Sequence, residues 1–245
     1  MKAGPPWRSP ARLGVVITCE HARPAVPRAL GDLGLSRQVL RSHRSFDVGA
    51  LPIARTLAAA LQVPLHAGRW SRLVADLNRS EDNARVIARS VDGRPVPGNR
   101  LSRSERRRRL DEYWHPWRFE AVREITAMSS FASVLHLSVH SFVERLGGVE
   151  RTNDIGLLHD PGRPREVAFC DALKESLVTS GLRVRRNFPY FGTTDGFTAW
   201  LRRVVPPRRY AGVEIECNQR LARTAAGQRR LAKALVEALR AVLSR

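Results

Sequence analysis

Short unbroken apolar runs alternate along the chain with apolar residues at helical spacing. LGVVITC (13–19) is a continuous apolar run that stops at Glu20-His21, the pattern of a central strand buried on both faces. After the proline-broken loop ARPAVP, Leu51, Ala54, Leu57, Ala58 and Leu61 share one helical face, with Asp47 or a near neighbour at its start. Val63–Leu65 opens another strand, and LVADLN (73–78) reads as one more. Turn formers crowd SVDGRPVPGNR (90–100), which is expected to be an exposed loop. SRSERRRRLDEYW follows as a helix opened by a capping box from Ser102 to Glu105, with Leu101, Leu110 and Trp114 as its apolar points and an end near His115-Pro116.

A second helix over Trp117–Met128 leads into the strand VLHLSVHSF (134–142). Beyond a loop at 147–154, the pattern predicts a strand at IGLLH, a helix over 164–180 and a strand at LRVRRN. FPYFGTTDGFT is a glycine and aromatic loop of the kind that covers a pocket. YAGVEIEC is the last strand, and Leu231, Leu235, Leu239 and Val242 mark an amphipathic terminal helix. No internal repeat is present. Strands alternating with helices imply one α/β domain over 13–245, after a flexible lead at 1–12, with a mainly parallel or mixed twisted sheet flanked by helices.

Composition supports a self-sufficient core, since 43% of the 245 residues are hydrophobic. Cys19, Cys170 and Cys217 are too isolated for a disulfide framework or a zinc knuckle, so a reducing, cytoplasmic setting is expected. The apolar run behind the basic, proline-broken lead is shorter than a signal sequence or a membrane span. Net charge is +19, which ordinarily points to an anionic partner. Only Lys2, Lys174 and Lys233 are lysines, however, and the arginines that supply the remaining cations are scattered over nearly every segment. Four consecutive arginines wrap round more than half a helix, and no groove-reading or base-stacking motif accompanies them. A solvated face is the expectation, with nucleic-acid binding as the reading it competes against.

In open α/β sheets, ligands collect at the carboxyl ends of the strands. The polar residues that interrupt the apolar strands fall there: Glu20-His21, Asn78-Arg79, His140-Ser141, and Glu214 with Glu216. Each also has a plain structural reading. His21 is a loop histidine with no second histidine at local zinc spacing, whereas His140 terminates a strand whose other face is Leu135, Leu137 and Val139. Glu214 and Glu216 share one face of VEIE, so they require a cation, a shared proton or an arginine partner. Asn78 and Arg79 combine an amide with a planar fork suited to a carboxylate; the competing reading is an ion pair of Arg79 with Asp76 or Glu81.

Taken in order, CEHARPAVP (19–27), DVGA (47–50), SRLVADLNRS (71–80), PGNRLSRSER (97–106), SVHSF (138–142), DIGLLHD (154–160), FPYFG (188–192) and VEIECNQRL (213–221) resemble the N-formylglutamate amidohydrolase family, itself similar to the zinc carboxypeptidases. The resemblance implies a carboxypeptidase-like fold and a Zn²⁺ or other divalent ion bound by His21 and His140. Carboxypeptidases take a third ligand from a glutamate three residues after the first histidine, where this chain has Pro24. Asp47 is the first choice for that ligand and Glu20 its competitor; Asp47 as a simple helix cap is the alternative. The same comparison makes Glu216 the general base and sets Asn78, Arg79 and Glu214 around the substrate. Arg72 and Arg151 are candidates for a second carboxylate or the oxyanion. The expected substrate is a small N-acyl or N-formyl amino acid, with removal of a terminal residue from a short peptide as the rival chemistry. Phe188, Thr152-Asn153 and Phe197-Thr198 depart from the family pattern, in segments expected to form a lid.

Overall fold

A strand that is apolar at every second position and polar between has one face for a core and one for something else, and two strands of this chain are built that way. The computed structural model describes residues 13–244, so the lead at 1–12 lies outside the described residues, as does Arg245. Its strands are β1 (Leu13–Cys19), β2 (Leu65–Ala67), β3 (Ser90–Val91), β4 (Arg94–Pro95), β5 (Ser133–Phe142), β6 (Arg145–Leu146), β7 (Val149–Glu150), β8 (Ile155–Leu158), β9 (Val184–Arg186) and β10 (Tyr210–Asn218). The helices are α1 (Arg37–Leu40), α2 (Ala50–Leu61), α3 (Arg103–Tyr113), α4 (His115–Ser129), α5 (Pro164–Thr179), α6 (Phe197–Val204), α7 (Gln219–Ala222) and α8 (Ala225–Leu243). Six strands form one mixed, mostly parallel sheet in the order β2-β1-β5-β10-β8-β9, with β8 antiparallel to β10. The pairs β3–β4 and β6–β7 are separate two-residue hairpins.

One sheet face is apolar apart from Ser133 and Ser141 at the two ends of β5. Ile17, Leu135, Leu137, Val139, Val213 and Ile215 pack there against Leu57 of α2, Phe169 and Leu173 of α5, and Leu231 and Leu235 of α8. On the other face, α4 and α6 cover only the lower part, where Val16, Val134 and Tyr210 meet Ala121, Ile125, Phe197 and Leu201. Above that level the same face turns polar, and register stacks the polar residues in rows. Thr18 lies beside Ser138 and Ser138 beside Glu214, while His140 lies beside Glu216. Because side chains alternate strictly along a strand, these rows all project to one side, towards the carboxyl ends of β1, β5 and β10.

LVADLN is not a strand. Its amides are spent on turns, Val74 N–H donating to the Ser71 carbonyl (2.9 Å) and Asn78 N–H to Asp76 Oδ1 (2.9 Å). Leu73 and Val74 are buried in one satellite cluster and Ala75 and Leu77 in another, so a coil buried on both sides reproduces the pattern of a central strand. The 90–100 segment is a hairpin rather than an exposed loop, since Val96 and Asn99 are buried. The capping box forms, and Leu110 and Trp114 join the core beneath α3. Within the arginine run, Arg107 and Arg108 are solvated, whereas Arg106 donates to the Glu81 carbonyl (2.9 Å) and buried Arg109 to Asn99 (3.1 Å). All three cysteines are free and buried. No helix among the described residues is long and apolar enough to cross a membrane.

Candidate active site

His21, Asp47 and His140 come from three separate segments: the turn after β1, the turn before α2, and the upper part of β5. Asp47 N–H donates to the His21 carbonyl (2.9 Å), locking the two turns together. The chain then enters α2 through Gly49, whose φ of 81° and approach to the Ala222 carbonyl leave no room for a Cβ atom. Since Gly49 is the cap and accepts no side-chain bond, the Asp47 carboxylate is free of any capping duty. It points instead at the histidines. Asp47 Oδ2 lies 2.8 Å from His140 Nδ1 and 3.5 Å from His21 Nδ1, and one ligand atom from each residue falls within 4.8 Å of the others.

Each imidazole is backed by a carboxylate on its far nitrogen. His21 Nε2 is 2.6 Å from Asp76 Oδ1, and His140 Nε2 is 3.1 Å from Glu20 Oε2 and 2.9 Å from Ser138 Oγ. A carboxylate accepts only, so each Nε2 carries a proton. His140 Nδ1 faces the Asp47 carboxylate in the same way and carries one too: burial acts against the charged ring, but the hydrogen bonds to Asp47 and Glu20 outweigh it and hold the His140 pKa well above its ordinary value. His21 Nδ1 is buried and has no hydrogen-bond partner. The unpartnered Nδ1 of His21, the Nδ1 of His140 whose proton a cation would replace, and a carboxylate oxygen between them match the donor set of an open zinc site with a carboxylate behind each histidine. The residues therefore fit a divalent ion.

Glu20 is not part of that cluster. Its Oε1 accepts from Thr18 (2.6 Å) and its Oε2 from Ser138 (2.6 Å) and His140, behind the metal-facing edge of the ring. These bonds run on into the sheet in one direction. Thr18 spends its proton on Glu20, so it accepts from His136 Nε2 (2.8 Å), and His136 Nδ1 then accepts from the Tyr210 hydroxyl (2.7 Å). Gly212 makes space for this, because a Cβ there would lie 2.5 Å from the Tyr210 hydroxyl oxygen. Burial drives the His136 pKa down to about 4, consistent with a neutral ring. For Glu20, burial acts upward, but the hydrogen bond and charge of His140 outweigh it and hold the carboxyl at about 2. Asp47 and Asp76 are likewise held below the ordinary range: burial opposes ionisation, and Arg72 and His21 overcome it.

Glu216 faces the same space from β10. Burial raises its pKa to about 8, and its Oε2 is buried without a partner. Neither Glu214 nor Glu216 has an arginine ion pair among the described residues; Glu214 accepts from Thr198 Oγ1 (2.6 Å). Around them opens a cavity of about 760 Å³ lined by His21, Asp47, Arg72, Asn78, Arg79, His140, Tyr190, Glu214 and Glu216, among others.

Not every candidate is equally available. Asn78 Oδ1 accepts from Phe197 N–H (2.7 Å), fixing the start of α6, and Arg79 donates to the Asp195 carbonyl while its Nε stays 4.0 Å from Asp76. Arg72 pairs with Asp47 Oδ1, and its buried Nε has no partner. Arg151 stands one layer back, bonded to the Tyr190 hydroxyl (3.2 Å) and 5.1 Å from that ring's centre, so Tyr190 is the group that reaches the cavity. Three residues escaped the sequence reading: Asp76, weighed only as a partner for Arg79; Tyr190; and Asp195. Asp195 accepts from Ser80 Oγ (2.5 Å) and Asn83 Nδ2 (2.6 Å), tying the aromatic loop to the turn that carries Asn78. The glycine and aromatic composition of that loop was the available signal.

A model of the family described as N-formylglutamate amidohydrolase matches residues 13–223. Among solved structures, a gene product of Agrobacterium tumefaciens is 33% identical, with a TM-score of 0.84 over 96% of this chain and 92% of that one. An N-formylglutamate amidohydrolase from Ralstonia eutropha is 21% identical, with a TM-score of 0.73 over 97% and 95% of the two chains. No curated protein matches.

Proposed function

The chain belongs to the N-formylglutamate amidohydrolase family and is a hydrolase of that class, and on this premise we propose that it cleaves the amide of a small N-acyl amino acid, such as N-formylglutamate, at a zinc ion held by His21, Asp47 and His140. The observation that carries the reading is the convergence of two Nδ1 atoms and the Asp47 carboxylate beside the unpartnered Oε2 of Glu216. A zinc ion bound there supplies Lewis acidity, lowering the pKa of water to about 7 and polarising the amide carbonyl.

The chain's own residues do the rest. Glu216 accepts the proton of the attacking water and delivers it to the departing amine nitrogen; burial holds its carboxyl above the ordinary range in the metal-free site, and the charge of a bound ion would bring it down toward the operating pH, where a group serves best in both directions. Arg79 presents its remaining guanidinium N–H groups, with the Asn78 amide beside it, to the substrate α-carboxylate, so the amide is held in place during attack. Arg72, anchored on Asp47 and with its Nε unspent, is positioned to donate to the oxyanion. Asp76 and Glu20 accept from the two Nε2 atoms and so turn both Nδ1 atoms toward Asp47, where loss of the His140 Nδ1 proton would free its lone pair for the ion. Glu214 and Tyr190 complete the wall.

The test is hydrolysis of N-formyl- and other N-acylglutamates by the zinc-loaded protein, followed by amine release. Turnover abolished in H21A and H140A together with loss of zinc agrees with the reading. Equal turnover by the metal-stripped protein contradicts it.

A further inference from the structure

A second cavity of about 360 Å³ adjoins the first and shares Asp47, Arg72, Arg85, Ser141 and Tyr190 with it. Asn78 and Arg79 line only the first cavity; Val91, Phe142, Val143 and Leu146 line only the second. The two substituents of a trans amide lie in its plane and point in opposite directions. With the amino-acid half held at Asn78 and Arg79, the acyl half passes Asp47 and Arg72 and enters this second space. A formyl group, one carbon with hydrogen and oxygen, occupies no more room than a water molecule, about 30 Å³. The second cavity is more than ten times that size, and the first is by itself within the usual range for a whole small-molecule ligand.

Its charges are largely cancelled. Arg44 is paired with Asp92 (2.5 Å) and Arg72 with Asp47. His43 is kept below its ordinary pKa, first by burial and then by the neighbouring Arg44, so it is neutral at pH 7. Arg85, which has no ion pair among the described residues, is exposed and stands at the junction of the two cavities rather than inside the second alone. Val91, Phe142, Val143 and Leu146 give a hydrocarbon chain surface to cover, while the paired charges and the neutral polar groups of His43, Ser141 and Gln219 line the rest of the space.

We infer that the second cavity is an acyl subsite, and that the preferred substrates are amino acids carrying a neutral aliphatic N-acyl chain of several carbons rather than a formyl group. This rests on the proposed amidohydrolase chemistry at the same site. The experiment measures kcat/KM of the zinc-loaded full chain on N-formyl-, N-acetyl-, N-butanoyl-, N-hexanoyl- and N-succinylglutamate. A methylene fully withdrawn from water is worth about a fourfold gain, so with about two to four of its five added carbons withdrawn the hexanoyl compound should exceed the formyl one by roughly 10- to 200-fold. Val143→Trp should remove at least ten-fold of that advantage while leaving the formyl rate within about twofold. Leu146→Trp, placed on the exposed β6–β7 hairpin where folding is not at stake, should act in the same direction. Rates that are flat or fall with chain length, both tryptophan variants slowing formyl and hexanoyl substrates alike, or preference for succinyl over butanoyl would each overturn the inference. Turnover confined to the formyl compound contradicts the inference and leaves the proposed function standing; no turnover on any member contradicts both.

Discussion

Thr18→Val is the sharpest probe of how the histidine cluster is held. Valine matches threonine in shape, so packing is preserved, but the hydroxyl that joins His136 to Glu20 disappears. The His136 Nε2 proton then has no acceptor, and Glu20 Oε1 loses its donor, both at positions with essentially no solvent access. A buried donor left unpaired costs about 1–3 kcal/mol, and a hydrogen bond to a charged acceptor contributes about 1.5–3 kcal/mol. Partial relaxation makes the two less than additive, giving an expected loss of about 3 kcal/mol in urea unfolding of the metal-free protein. Glu20 should then titrate above its present value of about 2, because one of its donors is gone. His140 retains Ser138, so zinc affinity, read by chelator competition, should weaken only about tenfold, at the lower end of the range for residues behind a metal ligand. A stability loss below about 0.5 kcal/mol would refute the assigned direction of the bonds. So would unchanged zinc affinity combined with an unchanged Glu20 titration.

Further outcomes follow from the same geometry. Glu216→Gln should lower kcat about 10²- to 10⁴-fold while zinc content stays stoichiometric, measured by metal analysis on the assayed sample; unaltered turnover would remove Glu216 from the role of base. Asp76→Asn should weaken zinc binding about 10- to 100-fold by freeing the His21 tautomer, again by chelator competition. His136 has a folded pKa of about 4, below the unfolded value of about 6.5, so the unfolded chain binds its proton first as pH falls. Its stability contribution is therefore complete above pH 6.5 and declines towards pH 4, by about 3 kcal/mol in all; urea midpoints over that window should fall in the wild type and flatten in His136→Gln.

The sheet was legible because its strands obey simple periodicities. VLHLSVHSF and YAGVEIEC alternate apolar with polar residues, and that alternation alone puts His140 and Glu216 on one face, where register makes them neighbours. The capping box and the apolar points of α3 were readable for the same local reason. What sequence order hides is pairing across distance. Asp76 meets His21 from 55 residues away and Glu20 meets Ser138 from 118, so neither contact leaves a trace in local spacing. LVADLN shows the opposite limit, since burial on both sides was legible but the absence of a strand partner was not. Gly212 is of this kind too: only the folded sheet shows that it clears a path for the Tyr210 hydroxyl.

In the proposed site His21, Asp47 and His140 hold one zinc ion through two Nδ1 atoms and a carboxylate. X-ray absorption at the zinc edge, on protein loaded with one equivalent, reads that ligand set. The expected spectrum has nitrogen and oxygen neighbours at about 2.0–2.2 Å, the outer scattering of two imidazoles and no sulfur. A sulfur shell at about 2.3 Å, or a spectrum unchanged in His21→Ala and His140→Ala, would contradict it.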